Sequence, residues 1–548
     1  MVKKDSLIRG TIILAAAALT ARFLGVFQRV PLDYMMGDAG NSYFSVANSV
    51  YLWLLTIATA GIPSAVSKMV SERYALGRPD EAQRIYRAAL LFGASAGILM
   101  STLLYAFAPF FSEVIAKVPG ADAAVRAIAP ALLLFPVIAM MRGYFQGRQI
   151  MSAGGISQII EQVMRVIVGV GLALVVLNLG WGDRWVAAAA TFGSVFGSIG
   201  AFLVMVWYAL KLRRQDAADP PLRRTRPGGK PLRLSAIYRE IFRISVPVVV
   251  TAMTVQLLYM IDTSLFIRLT GSFYTPAEAQ SALGWLGFRA QTIAGIPPIL
   301  AIALSQSIIP VLSAAYSTGR MAEVQRQTSL VMRIVVFTGV PAALVLTVAA
   351  HSVTGLLFDG PGGSGLVAAL TAGTIFQITM MTTNSILFGM SKPYHPMVYT
   401  FVGIAVKIIA SLALAPLLGA YGLVLASTLC FLTITYLNLR MIRREVELKV
   451  LGSRWGAYLA TIAVSALAGW GMDDLVRSLL VSWPDKLAFF AGCAATGVTV
   501  GGLYLVLLIR LGVVTADETG GFPGPLRKLF SALIRRIGPK EQRRRLGN

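Results

Sequence analysis

The sequence predicts an all-α polytopic membrane protein, with about 14 transmembrane helices arranged as two parallel six-helix lobes and two further C-terminal helices. Three observations carry this. Hydrophobic residues make up 56% of the 548 residues and charged residues only 14%, with a mean hydropathy of +0.70. Soluble domains carry about a quarter charged residues. Apolar runs repeatedly reach the roughly 20 residues that a helix needs to cross a bilayer. They lack the alternation of a membrane β-barrel, so their backbone must be satisfied as helix. Third, signals in the first half recur in the second at a constant spacing.

The expected segments of the first lobe lie near 7–30, 41–70, 85–110, 123–145, 155–179 and 185–210. The first run imitates a signal peptide, with Lys3, Lys4 and Arg9 ahead of it. Its apolar character continues past Arg22, so it is expected to stay as the first helix. Residues 211–239 form a basic linker rich in Pro and Gly, including Arg213, Arg223, Arg226, Pro220, Pro221 and Pro227. The second lobe, 240–442, holds segments near 241–269, 283–312, 327–350, 366–390, 396–418 and 421–442. Two more follow near 455–476 and 487–510, within a region 443–510, and 511–548 is a basic tail.

The net charge of +24 would raise nucleic acid as a partner in a soluble protein. Here the basic residues crowd into short loops and the two ends, as the positive-inside rule expects, so no nucleic acid is expected. An even number of spans puts both termini on one side, and the Lys and Arg there make it the cytoplasmic side. In the tail, Leu526, Leu529, Phe530, Leu533, Ile534 and Ile537 keep helical spacing between Arg527, Lys528, Arg535 and Arg536. That is an amphipathic helix, to lie on the inner membrane surface or to pack on a cytoplasmic loop.

Two cysteines, Cys430 and Cys493, and two histidines, His351 and His395, are far apart. Neither a disulfide framework nor a metal site is expected. There is no nucleophile grouped with His and an acid and no phosphate-cradling loop. The chain is expected to be a transporter without cofactor, not an enzyme.

The repeat is explicit. Gly77-Arg78-Pro79-Asp80-Glu81-Ala82-Gln83-Arg84 and Gly319-Arg320-Met321-Ala322-Glu323-Val324-Gln325-Arg326 both read G-R-x-x-E-x-Q-R, 242 residues apart. Gly147 maps onto Gly389 and Arg165 onto Lys407 at the same spacing. Six helices separate equivalent segments, so the halves run parallel. That arrangement suits a transporter with its site between the halves, although duplication for stability would leave the same mark.

Charges inside apolar segments are costly and mark cavities or partners. Arg22 and Arg29 lie seven residues apart and share a helix face. Arg22 should sit roughly 22 Å from the inner surface and Arg289 roughly 9 Å from the outer one, a similar depth in a core of about 30 Å. Converging guanidinium groups suit phosphate or carboxylate. The competing readings are a snorkelling role for Arg29 and a structural pairing of Arg22 or Arg289 with Asp262. Glu161 and Arg165 are spaced to pair with each other. Lys407 has no partner nearby in sequence, and Asp262 could balance Arg22 or bind a coupling cation.

Ala21-Arg22-Phe23-Leu24-Gly25, Gly287-Phe288-Arg289, and Ile309-Pro310 followed by Ser313-Ala314-Ala315-Tyr316-Ser317-Thr318-Gly319 resemble motifs of the multidrug/oligosaccharidyl-lipid/polysaccharide exporter superfamily. Within it the chain resembles the MurJ/MviN-like and SpoVB-like lipid-linked oligosaccharide flippases. The resemblance implies a V-shaped molecule in the bacterial cytoplasmic membrane with a cationic cavity that opens alternately to either side. Arg22 and Arg289, with Arg29, would hold the diphosphate of an undecaprenyl-linked saccharide such as lipid II. The last two helices would form a groove for the lipid tail. Asp262, Glu161, Arg165 and Lys407 would be cavity or coupling charges, with Na+ or H+ as the coupling cation. Membrane lipids and cell-wall synthesis proteins are the implied partners. The chain departs from the MurJ pattern at Asn41-Ser42-Tyr43-Phe44 and in having no arginine at 48–61, which favours the SpoVB-like branch. A drug antiporter of the same fold would need cavity carboxylates, and a membrane glycosyltransferase or ligase would need a large external loop.

Overall fold

The computed structural model describes residues 7–59, 61–218, 234–515 and 524–539. Among the described residues every regular element is helical. The first element is α1 (Leu7–Met35), followed by α2 (Asp38–Thr59) and α3 (Ile62–Ala75). Next come α4 (Pro79–Ala106), α5 (Ala121–Ile128), α6 (Ala131–Gly147), α7 (Met151–Asn178) and α8 (Asp183–Ala218). The chain resumes with α9 (Leu234–Ala252), α10 (Thr254–Thr270) and α11 (Pro276–Gly284). A π-helical turn at Trp285–Ala290 leads into α12 (Gln291–Ala294) and α13 (Pro298–Ser317). After these are α14 (Met321–Val348), α15 (Ala350–Leu357), α16 (Ser364–Gly389), α17 (Tyr394–Leu418) and α18 (Ala420–Glu445). The series ends with α19 (Trp455–Leu479), α20 (Asp485–Arg510) and α21 (Gly524–Ile537).

Among the described residues 11 helical stretches, or up to 12 if α9 and α10, bent by 52°, make one span, are long and apolar enough to cross a membrane; α2 with α3 and α5 with α6 each count as one. Each coincides with an expected segment. Two more expected segments are helical as well. One is α1, whose side chains are described only in part. The other is the run α11–α13, interrupted by the π-helical turn and by Gly295-Ile296-Pro297. A proline lacks the N–H of a helical hydrogen bond and its ring crowds the preceding turn, so the consecutive Pro297 and Pro298 favour a break in the apolar run there. Thr275 and Glu278 cap α11 reciprocally, and the Thr275 backbone N–H and hydroxyl hold the Glu278 carboxyl below its usual range.

The expected linker is shorter than the composition suggested. Helix α8 runs on through Ala218 and α9 starts at Leu234, because residues 211–218 contain no breaker and extend the preceding helix. The Pro- and Arg-rich stretch 219–233, like Lys3 and Lys4, lies outside the described residues. The tail helix has a face against protein. Phe530 and Ile534 of α21 are buried with Tyr458, Tyr504, Leu508 and Val513, so its apolar face packs on α19 and α20.

Contacts divide the chain into two compact units, Met1–Phe288 with Pro396–Leu423 and Arg289–His395 with Val424–Asn548. The division does not follow the expected lobes, since α9, α10 and α17 associate with the N-terminal helices.

The repeat is written in the packing of each unit. A Cβ on Gly147, the last residue of α6, would stand 2.6 Å from the Ser67 carbonyl oxygen and 2.9 Å from Val70 Cβ of α3. A Cβ on Gly389, the last residue of α16, would stand 3.3 Å from the Ile309 carbonyl oxygen and 2.7 Å from Leu312 Cβ of α13. Ser67 and Ile309, and Val70 and Leu312, are themselves 242 residues apart. Gly77 and Gly319 both adopt the left-handed region, at φ +70° and +69°, so the G of each G-R-x-x-E-x-Q-R motif turns the chain between helices. Gln149 and Ser391 repeat this, at +61° and +58°.

The surroundings of these two helix ends match as well. Arg148, just past α6, binds Asp216 of α8 at 2.5 and 2.7 Å and lies over the Tyr74 ring. Lys392, just past α16, binds Glu445 of α18, which also accepts from the Tyr316 hydroxyl at 3.1 Å. Tyr74 and Tyr316 share the spacing of 242.

Candidate functional site

Arg22 and Arg29 are carried by one continuous helix, α1. The Arg22 side chain lies outside what is described, and so does its expected meeting with Arg289. Arg29 has a definite place. Its Nη1 donates to the carbonyls of Phe288 at 2.9 Å and Gly287 at 3.3 Å. Its guanidinium carbon stands 5.5 Å from the Phe44 ring centre and 5.3 Å from that of Phe288. A π-helical turn displaces carbonyls from their usual partners, and buried carbonyls need donors. Arg29 supplies one and is therefore held inward, where a snorkelling side chain would reach the surface.

That turn is packed closely onto α2. A Cβ on Gly287 would stand 2.6 Å from Ser45 Cβ, and Phe44 meets Phe288 edge-on at 5.2 Å. Trp285 Nε1 donates to Asp38 Oδ1 at 3.2 Å, and Gln280 Nε2 to Ser42 Oγ at 3.3 Å. Asn41 Nδ2 donates to the buried Asp33 Oδ1 at 2.8 Å. The stretch Asn41-Ser42-Tyr43-Phe44 thus has work of its own in this chain, as the seat of the turn.

Arg289 itself belongs to the second unit and is 5% exposed. Its Nη1 donates to the Gly362 carbonyl at 3.1 Å, and its guanidinium carbon lies 5.7 Å from the Phe358 ring centre. A carbonyl and an aromatic face both orient a guanidinium. π-Helical turns inside helices are common at functional sites.

The other four charges fall into two groups, both in the first unit. Glu161 accepts from Arg165 Nη2 at 3.0 Å, on its own helix. It also accepts from Arg142 Nη2 at 2.9 Å, and Arg142 Nε reaches Ser157 Oγ at 2.7 Å. No local pattern marks Arg142: it lies on α6, 19 residues before Glu161, and only the packing of α6 beside α7 brings the two together. Lys407 is fully buried on α17. Its Nζ is ion-paired with Asp262 Oδ1 of α10 and donates to the Leu423 carbonyl at 2.8 Å. The carboxylate offered as a counter-charge for Arg22 is thus engaged by Lys407, 145 residues away.

The family model described as polysaccharide biosynthesis protein matches residues 7–316, more than half of the chain. The lipid II flippase MurJ of Bacillus subtilis strain 168 is 26% identical over 96% of this chain and 99% of its own length. Stage V sporulation protein B of the same organism is 22% identical over 95% and 98%. These identities lend no preference to the SpoVB-like branch expected from residues 41–44. A solved structure of the lipid II flippase MurJ in an inward closed conformation superposes with a TM-score of 0.64 at 13% identity, covering 90% of this chain and 98% of that one. The chain therefore shares the fold of that flippase structure, and the first of these Bacillus relatives is named a flippase.

Proposed function

Since the chain belongs to the polysaccharide biosynthesis protein family, we propose that it is a flippase for an undecaprenyl-diphosphate-linked saccharide, lipid II or a similar cell-wall or polysaccharide intermediate. It acts in the bacterial cytoplasmic membrane with both termini in the cytoplasm. The diphosphate enters a cationic cavity from the inner leaflet, and the lipid tail stays in the bilayer beside α19 and α20. Alternating access then releases the head group outward. The observation that supports this most is Arg289. It is a buried cation on a π-helical turn, in a chain that aligns along almost its whole length with a lipid II flippase.

The physical need is clear. A diphosphate cannot cross about 30 Å of hydrocarbon as a bare anion. Guanidinium groups take phosphate oxygens in bidentate fashion, and a low dielectric strengthens the attraction. Arg22 and Arg289 are the diphosphate ligands in this reading, and Arg29, already engaged with backbone carbonyls, is an entrance or exit contact. The trio Glu161, Arg165 and Arg142 lines the cationic side, and Asp262 with Lys407 is the buried charge pair through which a cation gradient, Na+ or H+, acts. In proteoliposomes, Arg22→Ala and Arg289→Ala should each reduce outward movement of a lipid-linked disaccharide at least tenfold, as expected for loss of a charge-assisted contact of about 1.5–3 kcal/mol. Unchanged movement in both variants would remove the reading.

A further inference from the structure

Arg289 is held by a segment that is itself held by the C-terminal helix pair. Two of its partners, the Gly362 carbonyl and the Phe358 ring, belong to Phe358-Asp359-Gly360-Pro361-Gly362-Gly363, which joins α15 to α16. Gly360 and Gly363 adopt positive φ, +108° and +78°. Such a segment has many conformations to lose and needs fixing from outside.

Lys486, in the first turn of α20, supplies the fixing. Its Nζ donates to the Gly355 carbonyl at 2.6 Å and to the Phe358 carbonyl at 2.5 Å. These lie at the C-terminal end of α15, where carbonyls lack helical partners and a cation is favoured. α15 is fastened to the same helix pair elsewhere. Ser352 Oγ donates to the buried Asp473 Oδ1 of α19 at 2.5 Å. A Cβ on Gly355 would stand 2.5 Å from the Phe489 ring of α20. A continuous path therefore runs from α19 and α20, through α15 and the 358–363 segment, to the Arg289 guanidinium.

We propose that Lys486 is a positioning residue for Arg289. By pinning the Phe358 carbonyl it sets the ring and the Gly362 carbonyl that orient the guanidinium for the diphosphate. The helix pair that faces the lipid tail thereby prepares the residue that meets the head group. This rests on the reading of Arg289 as a diphosphate ligand.

The test uses the full-length protein in nanodiscs, with undecaprenyl diphosphate and undecaprenyl phosphate as probes. Lys486→Met should weaken diphosphate binding about fivefold, a typical coupling between residues of one network, and narrow the preference over the monophosphate. Lys486→Arg keeps a cationic donor and should restore both. In an Arg289→Ala background, Lys486→Met should have no further effect. A loss of stability alone would lower the folded fraction without changing the diphosphate preference. Should Lys486→Met fold poorly, Lys486→Gln carries the same comparison. The positioning role is overturned if Lys486→Met binds like the parent, or if its loss persists undiminished without Arg289. If Arg289→Ala itself binds normally, the underlying reading of the site falls; if only Lys486→Met is inert, that reading stands and the positioning role falls.

Discussion

The middle of α7 and the middle of α17 occupy equivalent places in the repeat, yet they handle charge in opposite ways. On α7, Arg165 shares one carboxylate, Glu161, with Arg142, and all three side chains keep 13–16% of their exposure. On α17, Lys407 is fully buried beside Asp262. One carboxylate faces two guanidinium groups in the first case and one ammonium in the second. The backbone contacts of the two repeats, by contrast, match residue for residue at Gly147 and Gly389. The lesson is that duplication preserved where helices touch and left the charges free to diverge. The α7 group has one guanidinium more than its carboxylate balances, whereas the α17 charges balance one to one.

The largest expected effect breaks the α17 pair. Lys407→Met leaves Asp262 buried with its ammonium partner removed and should cost about 3–5 kcal/mol, read as a fall in the thermal midpoint of the detergent-purified protein. The double variant Asp262→Asn/Lys407→Met should recover most of that loss. If Lys407→Met is no worse than the double variant, the two charges do not balance each other as described. Glu161→Gln sharpens the contrast. The trio keeps some access to water, so the loss should be smaller, about 1.5–3 kcal/mol, and the added positive charge should raise affinity for anionic lipid. The smallest effects test the part that is alike. Gly147→Ala and Gly389→Ala should each cost about 1–3 kcal/mol by overpacking, and by similar amounts. A large cost at one site and none at the other would show that the packing correspondence is not energetic.

Much of the fold was legible because spanning helices announce themselves as apolar runs, and 12 of the expected spans can be laid on helices of sufficient length and hydropathy when α9 and α10 are taken together. The repeat was legible in G-R-x-x-E-x-Q-R because its glycine must turn the chain at positive φ. The site was read less fully. Glu161 and Arg165 are one helical turn apart, so spacing alone predicts their contact. Arg142 and Asp262 reach their partners only through tertiary packing, which no local pattern records. Periodicity marks the amphipathic tail helix but cannot say that its apolar side meets Tyr458 and Tyr504, since protein and lipid partners are both apolar. Lys486 escaped notice because a lysine at a helix start normally reads as a membrane-surface anchor.

The central claim is that a buried arginine on the π-helical turn binds a lipid diphosphate. Its most direct test is the binding isotherm of undecaprenyl diphosphate to the purified protein and to Arg289→Ala. Removal of the guanidinium should raise Kd at least tenfold, about 1.4 kcal/mol, with the thermal midpoint little changed. Equal affinity in a folded Arg289→Ala protein would contradict the account.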